Sequence, residues 1–378
     1  MWIYFLIFAI ILFLHFQKSK NAKNVKLLAI IMIFLGLFVG ISDMLGGYDR
    51  YIYGEIFDSM ADVTRSRGNP WQSDAFQFFG SDFGWGTLCA LISYITNNRY
   101  VFIFIVTIII YTLLFFSFKD YTSNYSFAIL LFLGLWFFFT FTYLRQVLSA
   151  TTVWLAIRYI YRRDLKRFII IWFIAYSFHN SAIIFLPMYF LPIKKFPPQK
   201  VLYIMGIALL IGLSPIPSAL FQVYGEIEEE RIGVETYSIE GSFRIAYLIE
   251  AAFFLYIILS QYKKITKKPR TIVLTNMSFV FCAILLVFIR SENGGRLGWY
   301  YMIGCISIVT TVCHLRFNGQ NKFLMIIVAF LLYFRIVTGW GILISPYKTF
   351  FTNGFRRGDY IHNNYEYDTN YDKDKFYR

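Results

Sequence analysis

Long apolar runs follow one another along almost the whole of this 378-residue chain, with only short polar connections between them. WIYFLIFAIILFLHF, YVFIFIVTIIIYTLLFFSF and FIIIWFIAYSFHNSAIIFLPMYFLP are three of them. Runs of roughly 15 to 25 apolar residues are stable in a bilayer, and their repetition predicts an all-α polytopic integral membrane protein with about 10 to 12 transmembrane helices, some short or re-entrant. Composition agrees. The chain is 58% hydrophobic and 15% charged, where a soluble domain carries about 25% charged residues. The first run has no basic segment before it and no small-residue cleavage site, so it reads as a retained membrane anchor.

The net charge of +14 would suggest nucleic acid in a soluble protein. Here the basic residues gather in short connections between apolar runs, so topology explains them and nucleic-acid binding is not expected. The four cysteines, Cys89, Cys282, Cys305 and Cys313, all lie in apolar runs without CxxC or Cys/His ligand spacing. They read as small buried hydrophobes, and neither a disulfide framework nor a structural metal is expected.

Lysine and arginine counts place 17–26, 161–167 and 262–270 on the cytoplasmic side, whereas the acidic connection 225–242 reads as external. Counting crossings from these anchors puts the polar segment 43–82 outside. It leaves 83–97 as a re-entrant or interfacial segment, too short and too glycine-rich for a full span. Residues 126–141 are expected to cross outward. Residues 145–161 then cross back, so that Arg145 and Gln146 open a helix at the external face. Residues 1–346 form a single polytopic domain on this reading, and 347–378 a polar, tyrosine-rich external tail.

The same parity bears on HNSAIIFLP (179–187). If 161–167 and 194–200 are both inside, residues 168–192 cross either zero or two times. The sequence then breaks into two half-helices meeting at His179-Asn180, each about 16 Å long at roughly 1.5 Å per residue. The rival is one long span with the break moved to SPIPS (214–218), where two prolines interrupt the next run.

This topology gathers polar and ionisable groups from distant segments on one side of the membrane: Asp49 and Tyr53, Arg145 and Gln146, and Arg290, Glu292 and Arg296. His179, with Asn180 and Ser181 beside it, lies at mid-depth. An arginine at the centre of a span costs about 2.5 to 3.5 kcal/mol on insertion scales, while one near an end can snorkel. Guanidinium grips phosphate bidentately, so three arginines around an external cavity imply a phosphate or pyrophosphate headgroup on a lipid. An imidazole in a polar cavity suits general acid/base work or donation to a substrate oxygen. A core histidine satisfied by a neighbouring helix is the plainer alternative.

YLRQVLSATTVWLAIRYIYRRDLKRFIIIWFIAYSFHNSAIIFLPMYFL (143–191) resembles the core of the EpsG family, bacterial exopolysaccharide-biosynthesis membrane proteins grouped with Wzy-type polysaccharide polymerases. The resemblance rests on Arg145-Gln146 opening a helix, the basic turn YRRDLKR, and a short apolar run ending in His179-Asn180-Ser181-Ala182. GGYDRYIYGEIF (46–57) resembles the family's early Asp-plus-Tyr segment, and GGRLGWYY (294–301), with Tyr300, its later arginine-plus-tyrosine element. SDFGWGTLCALISYI (81–95) resembles its acid-plus-glycine segment but has Gly84-Trp85 where a proline is expected, so Asp82 is left out of the candidate set.

The resemblance implies a GT-C-like membrane glycosyltransferase architecture in the bacterial cytoplasmic (inner) membrane, with its active site facing the external or periplasmic side. It implies a polymerase of exopolysaccharide, capsule or O-antigen-like chains that joins undecaprenyl-pyrophosphate-linked oligosaccharide repeats, with no nucleotide sugar and no metal cofactor. Membrane lipid, a flippase and chain-length regulator proteins are the implied partners. Arg145 with Arg290 or Arg296 would hold the pyrophosphate. His179 would activate or position the acceptor, with Asp49 and Glu292 as alternative bases. Gln146, Tyr300, Asn180, Ser181 and Tyr53 would bind substrate. The competing readings are a membrane O-acyltransferase modifying glycans and a lipid-linked oligosaccharide flippase or transporter.

Overall fold

The computed structural model describes residues 1–17, 22–217, 219, 243–291, 294–315 and 319–352. The acidic connection 225–242, Glu292 and the chain beyond 352 lie outside these residues. The described chain is helical throughout and, apart from an isolated bridge between Ser42 and Thr349, contains no β-pairing. Four described helices are long and apolar enough to cross a membrane: Arg99–Tyr121, Pro269–Val287, Gly294–Cys313 and Gly319–Gly339. Shorter apolar helices accompany them, including Trp2–Phe16, Val25–Gly40, Pro198–Leu213 and Ile245–Ser260. The protein is an all-α polytopic membrane protein.

Burial separates helices that face lipid from helices that face protein. The apolar window of Pro269–Val287 is 72% buried, whereas that of Gly319–Gly339 is only 28% buried. Phe323, Leu331 and Phe334 on the latter, and Leu202, Tyr203 and Leu210 on Pro198–Leu213, are exposed. Exposed side chains of this kind are at no disadvantage against acyl chains. All four cysteines are buried.

The chain divides into two compact units. The first comprises the described residues of Met1–Thr152, Ile174–Asn180 and Lys322 onward. Its helix Val25–Gly40 packs along Arg99–Tyr121, and Trp2–Phe16 along Tyr125–Leu135. The 126–141 run does not form one continuous helix. The helix ends at Leu135, the chain turns through Trp136–Phe138, and a short helix Phe139–Thr142 follows. Every residue of Tyr125–Leu135 is buried. Irregular backbone at membrane depth is tolerated where protein rather than lipid covers it. Phe138 packs on Tyr333 and Phe141, and the Tyr333 hydroxyl donates to the carbonyl of Tyr4 at 2.9 Å.

The polar segment 43–82 is ordered into helix Tyr48–Arg65, a short helix Asp74–Phe78 and two single 3-10 turns. Gly46 and Gly47 precede it, both at φ +106, a left-handed conformation that glycine adopts without strain. Arg50 is fully buried and donates to the carbonyls of Val39 and Phe141 at 3.1 Å and of Ser42 at 3.0 Å. It thereby ties helix Tyr48–Arg65 to the ends of two other helices. Tyr347 stacks on Phe38 with ring centroids 4.2 Å apart, so the start of the segment expected as a polar tail packs into this unit.

The second unit comprises the described residues of Val153–Phe173 and Ser181–Asn321. Helix Pro269–Val287 is its centre, flanked by Pro198–Leu213, Ile245–Ser260 and Met302–Cys313. Next to these lies a hairpin. Trp172 Nε1 donates to the carbonyl of Ala182 at 2.9 Å. The Phe168 ring meets those of Phe185 and Tyr189 at 6.3 and 4.9 Å. Arg163 donates to the carbonyls of Tyr189 and, at 3.0 Å, Leu191. Residues ten to nearly thirty apart in sequence touch in antiparallel order, so the chain turns back along itself. Helix Leu165–Phe178 ends one residue before His179, and a 3-10 helix, Asn180–Tyr189, returns. The run 168–192 breaks at His179; helix Pro198–Leu213 ends separately, ahead of a bend at Ser214 and Pro215.

Candidate functional site

Helix Leu144–Trp154 carries Arg145 in its first turn. The guanidinium is fixed from three directions. Nη1 donates to Asp82 Oδ2 at 2.8 Å. Nε lies 3.5 Å from the Tyr53 hydroxyl. The rings of Tyr53 and Phe79 lie 5.5 and 5.6 Å from its central carbon, within cation–π range. Tyr53 packs in turn against Trp85 at 5.2 Å. The arginine side chain nevertheless keeps 26% of its surface exposed, against 7% for Asp82. A guanidinium held in this way has lost its rotamer freedom, while part of the side chain that carries it stays at the surface of the fold.

Asp82 ends the 3-10 turn Gly80–Asp82, just ahead of helix Phe83–Ser93. Its second oxygen, Oδ1, accepts the backbone N–H of Asn180 at 2.9 Å. One carboxylate therefore joins Arg145 to the first residue of the 3-10 helix Asn180–Tyr189, where the first-turn N–H groups find no carbonyl within the helix. Two further contacts hold the same stretch of chain, Ile174–Asn180. Ser149 Oγ donates to the carbonyl of Ala175 at 2.7 Å. Gly84 abuts Ser177 so closely that a Cβ on it would lie 2.7 Å from that of Ser177. Here glycine is required by close approach.

The Tyr53 phenol is pushed up to about 12, chiefly by burial. Arg145 pulls the other way, and the negative charges of Asp49 and Asp82 add to the rise. At neutral pH Tyr53 is therefore a neutral phenol, and Asp49 is near enough for its charge to be felt there. A fixed guanidinium on a partly exposed side chain, with a neutral phenol beside it, is suited to holding an anionic oxygen and to stabilising negative charge that develops on it.

The EpsG family profile matches residues 27–349 of the chain. The chain belongs to the EpsG family. No curated protein and no solved structure matches it. The EpsG match spans Tyr53, Asp82, Arg145 and His179 alike, and it makes the protein an exopolysaccharide-related membrane protein.

Of the residues singled out from sequence, Asp49, Tyr53, Arg145, Gln146, His179 and Asn180 lie in the first unit. Arg145, Tyr53 and Asn180 are brought together through Asp82, Gln146 is buried one residue beyond Arg145, and His179 is half-buried beside Asn180. Ser181, Arg290, Arg296 and Tyr300 lie in the second unit. There the hydroxyls of Ser181 and Tyr300 are 2.8 Å apart, and the Tyr300 carbonyl accepts from Trp154 Nε1 at 2.9 Å. Arg296 is half-buried in the 3-10 helix Gly294–Tyr301, and Arg290 is exposed beyond helix Pro269–Val287. Sequence reasoning passed over Asp82, Gly84 and Ser149. Only Asp82 had a signal, the acid of the acid-plus-glycine segment.

Proposed function

We propose that this EpsG protein is a polysaccharide polymerase that joins polyprenyl-pyrophosphate-linked repeat units, undecaprenyl in the bacterial cytoplasmic membrane, at the external face. The bond between the anomeric carbon of the growing glycan and its pyrophosphate oxygen breaks. A bond from that carbon to a hydroxyl oxygen of the next lipid-linked repeat forms. The hydroxyl proton passes to a base, and polyprenyl pyrophosphate leaves.

The observation that carries the reading is the state of Arg145: ion-paired to a buried carboxylate, seated on two aromatic rings, and still partly exposed. Fixed positive charge of this kind stabilises a departing pyrophosphate oxyanion without reorganising during the step. Among the three candidate arginines the reading rests on Arg145 alone. His179 is the first candidate to take the acceptor proton, because it adjoins the Asn180 N–H held by Asp82. Asp49, whose charge acts on Tyr53, is the alternative.

Replacement of Arg145 or His179 by alanine, followed by sizing of the cell's glycan, tests this. The expected product is single repeats without long chains, at unchanged membrane levels of protein. Full-length chains lacking only acetyl groups would instead indicate an O-acyltransferase. Loss of all external repeats, with lipid-linked repeats retained inside, would indicate a flippase. Normal polymer from both variants would overturn the site.

A further inference from the structure

Asp82 takes no part in the bond making and breaking proposed above, yet it binds two separate elements of the first unit at once. It is 5% exposed and uses both oxygens, one for the Arg145 guanidinium and one for the Asn180 backbone N–H. Arg145 and Asn180 are 35 residues apart in sequence, on separate elements. Asp82 also stands two residues from Gly84, whose contact with Ser177 fixes the approach of the same stretch of chain. A buried carboxylate is costly unless its oxygens are satisfied, and here the two satisfying groups are the proposed pyrophosphate contact and the residue following His179.

We propose that Asp82 is a positioning residue: it sets the arginine that holds the leaving pyrophosphate at a fixed distance and orientation from the His179-Asn180 junction that handles the acceptor. The inference rests on the polymerase reading. It carries a consequence that a purely structural role does not. Asp82 is an anion beside the guanidinium, so it weakens the attraction of Arg145 for a second anion while improving its aim. Removing the charge without removing the shape should therefore separate binding from turnover. Loss of alignment lowers the rate of the chemical step even where ground-state binding is kept.

The test compares wild type, Asp82→Asn, Asp82→Ala and Arg145→Ala, all as full-length chains. Two quantities are read from each: affinity for farnesyl pyrophosphate, a soluble short-chain polyprenyl pyrophosphate, in detergent; and polymer formed from the cell's own lipid-linked repeats in isolated membranes. D82N is expected to bind farnesyl pyrophosphate at least as tightly as wild type. Its polymer yield per molecule should fall by about tenfold or more, with D82A falling further. Unchanged polymer from D82N, or parallel loss of binding and polymer at reduced thermal stability, would overturn the positioning role. R145A separates this from failure of the parent reading. Loss of both binding and polymer in R145A with normal D82N rejects only the role of Asp82, whereas an R145A protein that still binds and polymerises rejects the polymerase site itself.

Discussion

Gly84 lies against Ser177 so closely that a methyl group at Gly84 would stand 2.7 Å from the Ser177 Cβ and 2.9 Å from its carbonyl carbon. Neither neighbour is the far end of a flexible side chain, so the helix carrying Gly84 would have to move. Gly84→Ala is expected to destabilise the protein by about 1 to 3 kcal/mol, as overpacking does. Gly206, on helix Pro198–Leu213, has nothing within 4 Å of its would-be Cβ. Gly206→Ala should raise stability by about 0.5 to 1 kcal/mol through helix propensity alone. Thermal midpoints of the two purified variants should therefore move in opposite directions, and equal shifts would contradict the packing described.

Arg163 closes the base of the hairpin from a left-handed backbone conformation, φ 55. Arg163→Ala loses its bonds to the Tyr189 and Leu191 carbonyls but keeps the strained conformation, whereas Arg163→Gly relieves the strain, worth about 1 to 2 kcal/mol. Hydrogen exchange over Asn180–Leu191 should quicken in both variants, and more in R163A. Helix Pro269–Val287 should stay protected. Uniform exchange across the chain would show that the hairpin does not open as a local unit.

Buried Arg50 donates to three carbonyls from two separate segments. A lysine has no planar fork to span them. Arg50→Lys is expected to lower the amount of folded protein in the membrane nearly as much as Arg50→Met, since neither can span all three carbonyls and each buried group that loses its donor costs about 1 to 3 kcal/mol. Near-wild-type levels for R50K would mean that charge alone suffices there.

Tyr53 gives a prediction with a definite sign. Its folded-state value, about 12, lies above the ordinary 10.0. Burial of the neutral phenol therefore contributes stability that is complete below pH 10.0 and is lost as pH rises through about 12. Tyr53→Phe should flatten the alkaline fall of the thermal midpoint in that window. An unaltered alkaline fall in Y53F would show that the phenol titrates as if exposed.

These residues also show what the sequence made legible. Charge parity favoured the break at His179, because basic turns on the same side at both ends of an apolar run allow only zero or two crossings, but it left open one long span with the break moved to 214–218. The helix opening at Arg145 followed from the same count. Asp82 did not, since its value lies in two contacts, to Arg145 and to Asn180, across separations of 63 and 98 residues. The contact of Gly84 with Ser177, 93 residues away, was hidden in the same way. The split of 126–141 was equally hidden. An apolar run reads alike whether lipid or protein covers it, and only the packing of Phe138 on Tyr333 shows which.

The most direct measurement of the central claim is reconstitution. Purified wild-type and R145A proteins would be placed in proteoliposomes with purified polyprenyl-pyrophosphate-linked repeats, and the glycans sized over time. Wild type is expected to give chains of many repeats, with release of one polyprenyl pyrophosphate per bond formed, and R145A single repeats only. Long chains from R145A at the wild-type rate, or none from wild type with intact substrate, would contradict that claim.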